Sequence, residues 1–543
     1  MTKKVLLGND AIIKAALASG FSFVSGYPGC PSAEIGDGMG RIAKECGIYA
    51  EWSTNEKTGL EASIGASFSG LKTLVNMKSF GINVCSDSLL PLAYTGTKVG
   101  MVIFVGDDPS CHSSAQSEQD SRGYAYLSHI PMLEPSTPQE CYDFTKLGYE
   151  ISEKFNIPVI LRVTTRVAHQ RAEVVFEEQK KAQGKGVFVK NPHQFTTMPP
   201  RVMEMKKELL EKLGKIMQFA EKSKANQVIG NKKAKIGIIT SGVSYLHTIE
   251  ALENLGLDLP ILKLGFFYPL PEAKIKGFMG GVRKVLVVEE LDGYLEKEIS
   301  SLAKEANLKV EVNGKNLLSL IGELSAEKVC VALAEVTGKK FTGFKFKQLD
   351  LPKRTARLCE GCPYWYVFPV LKRVAPEGTV FAGDIGCNMI AGLAPHNMQD
   401  TLFCMGASIG IGHGIKKATD QKVIATMGDG TFFHSGISAL INAVYNKSSP
   451  LIVVLDNRIT AMTGHQQNPG MGKTLMGENT EELKIEEIAK ACGVKNIKVL
   501  DPANVQEFET TIKEFLAKDE ISLIVCKRIC ALLARRSQQA KGG

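Results

Sequence analysis

Short apolar runs of strand length recur along the first 170 residues, separated by stretches in which small and apolar positions follow helical spacing. The pattern predicts helices over 10–19 and 56–69, and strands over 21–24, 101–105 and 158–163. Nearly continuous apolar strands alternating with helices imply a parallel sheet covered on both faces. From residue 171 to 234 the pattern turns Lys/Glu-rich, as in Arg201-Val-Met-Glu-Met-Lys-Lys-Glu-Leu-Leu-Glu-Lys-Leu, and reads as a helical connector with a solvated face. A new unit opens at Ile236-Gly-Ile-Ile-Thr-Ser-Gly, continues through a helix over 245–255, and reaches Ile261-Leu-Lys-Leu and Lys284-Val-Leu-Val-Val. This is a compact βαβ pattern. A second large unit follows, with strands over 423–427 and 451–455 flanking a helix over 432–446. The expected organisation is α/β. Two doubly wound parallel-sheet domains, 1–170 and 355–535, bracket the connector (171–234) and a smaller α/β domain (235–340).

Composition narrows the function classes. The 543 residues suffice for three or four domains of about 150 residues each, and 44% hydrophobic with 22% charged residues excludes disorder as the main state. Lys and Arg number 65 against 57 Asp and Glu, a net +8 without a nucleic-acid-binding motif, so no nucleic-acid partner is expected. No apolar run approaches 18 residues, and Asn9, Asp10 and Lys14 interrupt the first helix. Neither a membrane span nor a signal peptide is therefore expected, and the cytoplasm is the expected location. Thirteen Cys, an odd number, point to reduced or metal-bound thiols. The 52 Gly exceed the usual share of about 7%, which suggests close backbone approach to a small ligand.

The clearest chemistry lies where the apolar run Lys422-Val-Ile-Ala-Thr-Met enters Gly428-Asp429-Gly430 and a helix. That context puts the Asp429 carboxylate at the carboxyl end of a parallel strand, where α/β sheets bind ligands. One strand later, Leu451-Ile-Val-Val-Leu-Asp456-Asn457 brings Asn457 to the same edge. Asp429, the Asn457 amide oxygen and a backbone carbonyl near Ile459 could supply three oxygens to Mg²⁺, which also keeps a substrate phosphate in its sphere. The plain alternative is a turn followed by a loop start.

This pairing resembles the diphosphate-binding motif of thiamine diphosphate enzymes. Further segments are similar to the large subunit of indolepyruvate ferredoxin oxidoreductases. They include Gly383-Asp-Ile-Gly-Cys387, Cys404-Met-Gly-Ala-Ser, Thr431-Phe-Phe-His-Ser-Gly436 and Thr460-Ala-Met-Thr-Gly-His-Gln466. Gly26-Tyr-Pro-Gly, Asp107-Asp-Pro, Glu118-Gln-Asp-Ser-Arg122 and Arg162-Val-Thr-Thr-Arg166 match at the other end. The resemblance implies that the N-terminal domain holds the aminopyrimidine of thiamine diphosphate. The C-terminal domain would hold its diphosphate and Mg²⁺, through Asp429, Asn457 and Ile459, with Gly428, Gly430, Met405, Gly406 and His465 at the cofactor. It also implies an acid against the pyrimidine, whose hydrogen bond to N1′ favours the imino tautomer. Glu56, at the head of a glycine-rich helix, matches that acid. Glu61 is a weaker rival, and a plain helix-terminal Glu favoured by the dipole is the structural alternative.

Cys359-Glu-Gly-Cys362, Cys387 and Cys530 resemble the thiols that hold a 4Fe-4S cluster near the cofactor in related 2-oxoacid oxidoreductases. Zinc and unmetallated buried thiols stay open as alternatives, and Cys526 and Cys404 as alternative fourth ligands. His434 and His465 have a cofactor or a structural role open to them. Arg122 and Arg166 would serve either a substrate carboxylate or ion pairs between domains. The sequence departs from the family by ending at Lys541-Gly-Gly, without a ferredoxin-like tail, and by carrying Cys30 where Thr is usual. The implied function is oxidative decarboxylation of an arylpyruvate-like 2-oxoacid, of the indolepyruvate type, to acyl-coenzyme A. Electrons would pass to ferredoxin or an iron–sulfur subunit. The implied assembly is a hetero-oligomer with a dimeric core and a smaller γ-type subunit. A non-oxidative thiamine diphosphate decarboxylase and a non-catalytic scaffold subunit are the alternatives.

Overall fold

A computed structural model describes residues 1–231, 234–345, 349–352 and 355–539; the Lys541-Gly-Gly end, and Lys232 and Lys233 of the expected connector, lie outside them. The chain divides into two units, residues 1–348 and 349–543.

In the first unit, every residue of the strands Thr73–Lys78, Met101–Asp107 and Val159–Thr164 is buried, as a sheet covered on both faces requires. They form the centre of a seven-stranded sheet in the order Phe266–Tyr268, Met132–Leu133, Val159–Thr164, Met101–Asp107, Thr73–Lys78, Phe23–Gly26, Tyr49–Ala50. All neighbours run parallel except the edge strand Phe266–Tyr268. The helices Gly8–Ala18 and Glu56–Phe68 start two residues before and at the positions that the periodicity predicts. A five-stranded sheet follows, ordered Glu311–Asn313, Lys284–Val288, Ile236–Ser241, Ile261–Leu264, Gln227–Ile229, with only Gln227–Ile229 antiparallel to its neighbour.

The stretch read as a connector is more integrated than its charge suggests. Arg171–Phe176 pairs with the N-terminal strand Thr2–Leu7. The helix Arg201–Lys222 buries Met205, Leu209, Leu213, Ile216 and Ala220, a stripe spaced by three or four residues along one face, while its Lys and Glu residues take the other. Lys-rich composition hid a packed helix because only about one residue in four needs to face inward.

The second unit is a five-stranded, all-parallel sheet in the order Val380–Ala382, Val423–Gly428, Leu451–Asp456, Ser522–Lys527, Asn496–Leu500. Alternate residues of one strand feed opposite cores. Val453 and Leu455 pack with Phe368, Leu371, Phe508 and Ile512, whereas Ile452 and Val454 pack with Ile409, Leu440 and Ile485. The single helix expected over 432–446 begins at Asp429 and contains one π turn, Phe432–Gly436, before it resumes as Ile437–Tyr445. Such turns are rare and occur frequently at functional sites.

Candidate active site

In the second unit the strands ending at Gly428 and Asp456 are parallel neighbours, so Asp429 and Asn457 emerge at one sheet edge. Asp429 is 3% exposed, and its Oδ2 accepts a hydrogen bond from Asn468 Nδ2 at 3.0 Å. Burial and the neighbouring Asp456 carboxylate push its pKa up to about 7. Asp456 is itself buried; Arg458, 3.8 Å from it, is turned toward Glu482 at 2.7 Å, and Lys527, its partner on the neighbouring strand, also leans to Glu482 at 3.8 Å. This edge therefore concentrates negative charge that the described side chains only partly neutralise. A Cβ placed on Gly428 would meet nothing within 4 Å, so open space lies over the glycine that precedes Asp429.

Asn457 Oδ1 accepts from the Ile459 amide at 3.2 Å, and its Nδ2 donates to the Tyr364 hydroxyl at 2.9 Å. Ile459 is 4% exposed. Gly406 is confined by its backbone: φ is +85°, and a Cβ there would stand 2.6 Å from Ser435 Cβ in the π turn. Its amide and that of Ser408 donate to the buried Asp384 carboxylate at 2.9 and 3.0 Å, which seats the head of the helix Ala407–Ala418 beside Met405. Burial pushes the Asp384 carboxyl up to about 6. His434 is buried, with Nδ1 2.6 Å from Ser435 Oγ. Asp456, Asn468, Tyr364 and Asp384 were not singled out from the sequence, although Asp456 adjoins Asn457 and Asp384 sits inside the quoted Gly-Asp-Ile-Gly-Cys motif.

Three separate segments bring thiols to one neighbourhood. Burial pushes Cys387 up to about 12, and Cys362, Cys530, Cys359 and Asp429 act in the same direction. Cys362 is pushed up to about 11, with Cys359 and Cys530 contributing. The Cys359 carbonyl accepts from the Cys362 amide and from Trp365 Nε1, both at 3.1 Å, and so shapes the loop. Cys530 Sγ lies 3.8 Å from His465 Nε2, so His465 faces a thiol. Cys526 is packed in the core, with Leu455 and Leu500 as its strand partners, and Cys404 is exposed and close to Asp384. Among the described residues no group of three or more His, Cys, Asp or Glu side chains is arranged to hold a single metal ion.

In the first unit, Asn55 caps the helix Glu56–Phe68 by accepting from the Thr58 amide at 2.9 Å, which fixes Glu56 as its first residue. Glu56 is 7% exposed, and its Cγ would lie only 2.6 Å from a Cβ on Gly81. Only glycine at 81 lets the helix Ser79–Thr95 approach this carboxyl so closely. Glu61 is half-exposed and paired with Lys57 at 2.6 Å, as a surface residue would be.

The two arginines offered for a substrate carboxylate are used otherwise. Arg122, 1% exposed, binds Asp120 and Glu289 at 2.7 Å each, and donates to the carbonyls of Glu290 and Asp292. Arg166 pairs with Glu323 at 2.7 Å. Both tie the seven-stranded sheet to the segment that follows Val288, and the Arg122 guanidinium, held between two carboxylates and two carbonyls, is committed to that join.

Three family models match the chain. They are a pyruvate flavodoxin/ferredoxin oxidoreductase thiamine-diphosphate-binding region (residues 14–231), an indolepyruvate oxidoreductase domain (226–346) and the C-terminal thiamine-pyrophosphate-binding domain of thiamine pyrophosphate enzymes (384–526). The chain is 42% identical over 536 residues to indolepyruvate oxidoreductase subunit IorA of Methanothermobacter marburgensis, covering 97% of this chain and 87% of that one. It is 40% identical over 559 residues to the same subunit of Pyrococcus horikoshii, covering 98% and 86%. A 2-oxoglutarate:ferredoxin oxidoreductase from Magnetococcus marinus superposes with a TM-score of 0.50 at 18% identity, over 61% of this chain and 65% of that one, which is a likeness of fold.

Proposed function

The chain belongs to the indolepyruvate oxidoreductase subunit IorA family, and on that premise we propose that it is the catalytic subunit of a thiamine-diphosphate-dependent 2-oxoacid:ferredoxin oxidoreductase. Its substrate is an arylpyruvate-like 2-oxoacid of the indolepyruvate type. With coenzyme A and two oxidised ferredoxins, this acid yields acyl-coenzyme A, CO₂, two reduced ferredoxins and a proton. A smaller subunit of the same enzyme shares the electron path.

The observation that carries this reading is the buried Asp429 carboxyl, held by a neutral amide and crowded by Asp456, beside open space over Gly428. Such an edge fits a hard cation, and glycine without a steric need of its own fits a phosphate lying against the backbone. Asp429, Asn457 Oδ1 and the Ile459 carbonyl would hold Mg²⁺, and Gly430, Met405 and Gly406 would line the cofactor. Cys362 and Cys387, whose ionisation burial and the neighbouring thiols disfavour, fit a thiolate-bound cluster, because the cluster's positive iron reverses that penalty. Cys359, Cys362, Cys387 and Cys530 would hold it, while Cys526 is committed to the core. Thiamine diphosphate, when bound, supplies the carbanion chemistry and electron sink for decarboxylation. The chain's own part is to keep a proton at the pyrimidine through Glu56, to neutralise the diphosphate, and to route electrons outward.

The test is anaerobic purification with the smaller subunit, followed by thiamine and iron analysis and by coenzyme A-dependent reduction of ferredoxin with indolepyruvate. Decarboxylation without ferredoxin reduction would favour the non-oxidative enzyme, and absence of stoichiometric thiamine diphosphate the scaffold.

A further inference from the structure

Lys78 is a buried cation with little to neutralise it. It is the last residue of the strand Thr73–Lys78 and caps the 17-residue helix Ser79–Thr95, at the carboxyl edge of the seven-stranded sheet. The residue is 9% exposed. Its stem runs along Gly29, where a Cβ would stand 2.6 Å from Lys78 Cβ. The ammonium donates to the Ser113 carbonyl at 2.8 Å, while the nearest carboxylate, Asp108, is 3.8 Å away. Asp108 is occupied elsewhere: it accepts from the Ser113 amide and hydroxyl, from Ser114 Oγ, and from Thr165 Oγ1. An ammonium has three N–H donors, and a buried charge costs free energy unless it is paired and hydrogen-bonded. Cys30, half-buried next to Gly29, lies within electrostatic reach of Lys78, as do Cys111 and Asp107.

The carboxyl given to the cofactor packs on the same helix. Glu56 packs on Gly81, three residues beyond Lys78, so the two side chains meet the same first turn of one helix. We propose that Lys78, with Gly29 and Cys30 beside it, anchors the carboxylate of the 2-oxoacid; this rests on the proposed function and deepens it. Since Asp108 is satisfied by four other donors, the single ammonium can balance at most a monoanion. It cannot balance a dianionic phosphate, which disfavours coenzyme A or the cofactor's diphosphate as occupant. Cys30 then borders the substrate chain next to its carboxylate.

The experiment uses the complete enzyme with thiamine diphosphate and Mg²⁺, with indolepyruvate and phenylpyruvate as probes. Lys78→Met is expected to raise KM for both acids by about 10- to 100-fold, as loss of a charged hydrogen bond does. The KM for coenzyme A and the calorimetric affinity for thiamine diphosphate stay unchanged, and Lys78→Arg recovers part of the loss. Since Asp108 keeps its four donors in Lys78→Met, the loop it organises is retained. A variant-free readout accompanies these: in the wild-type protein either acid slows alkylation of Cys30 by iodoacetamide. Unchanged KM for the acids in Lys78→Met, a shift in coenzyme A or thiamine diphosphate affinity instead, or unprotected Cys30 in an active wild-type enzyme would overturn the anchor alone. A wild-type enzyme that binds thiamine diphosphate yet turns over neither acid would overturn the function on which the anchor rests.

Discussion

The backbone amide of Cys530 donates to the carbonyl oxygen of Asn457 at 3.0 Å. The proposed Mg²⁺ loop and the last of the four thiols are thereby held in one register, although 73 positions separate them in the chain. The adjacent Arg528 amide donates to the Asp456 carbonyl at the same distance, so the link is a short ladder. A change in the loop proposed to hold the diphosphate is mechanically connected to the thiol proposed to hold iron.

Asp429→Ala is expected to abolish Mg²⁺-dependent binding of thiamine diphosphate, because it removes the charged ligand and leaves the diphosphate poorly neutralised. Asn457→Ala should weaken binding less, since it removes a neutral oxygen. Calorimetry with and without Mg²⁺ measures both, and near-wild-type affinity in Asp429→Ala would refute the assignment of this edge.

Glu56→Gln keeps the shape that packs on Gly81. Cofactor affinity and thermal unfolding should change little, while turnover falls by about 10²-fold or more, the usual contribution of a positioned acid–base group. Full turnover in the variant would move the role away from Glu56.

Anaerobically prepared enzyme should carry about four irons for the Cys359, Cys362, Cys387 and Cys530 site, and replacing any of these by Ser should deplete them. Such variants should still release CO₂ from the 2-oxoacid but deliver few electrons to ferredoxin. Iron analysis and electron paramagnetic resonance of Cys530→Ser decide the matter, and an intact cluster signal there would exclude Cys530 as a ligand.

Glu290 gives the chain a pH-dependent term. Its carboxyl is buried, with Arg122 and Arg162 shared among Asp107, Asp120, Glu134 and Glu289, and burial pushes it up to about 7. An unfolded Glu titrates near about 4.3. The folded state therefore holds this proton to higher pH than the unfolded state does. The stability it brings is fully present below about pH 4 and is lost as pH rises through about 7. Glu290→Gln should be more stable than wild type at pH 8.5 and should flatten the decline of Tm between pH 5 and 8.5. Parallel declines in the two proteins would show that Glu290 is not the group responsible.

Much of this architecture is local and was legible in order along the chain. The strand run into Gly428-Asp429-Gly430, the apolar Leu451–Asp456 strand and the glycine-rich helix after Asn55 each declare themselves within about ten residues. Period and turn chemistry are short-range properties. The sequence alone thus determined the α/β class, the carboxyl edge on which Asp429 and Asn457 lie, and, through ordered motifs, the family. It read the helical, solvated character of Arg201–Lys222 but not its sparse buried stripe, and left Arg122 open between a ligand and an ion pair.

Those questions depend on residues far apart in the chain. The Arg122 partner Glu289 is 167 positions away, and only the meeting of two sheets turns that guanidinium inward. Cys526 and Cys530 are equivalent as letters, yet strand alternation sends one into the core and the ladder to Asn457 sets the other beside Cys362 and Cys387. Lys78 was not singled out from the sequence; folding lays Gly29 along its stem and gives Asp108 four other donors. Spacing in the chain determines which groups can share a strand or a helix turn. Which charges are buried together, and which are left with too few partners, is decided only when distant segments pack and water is excluded from between them.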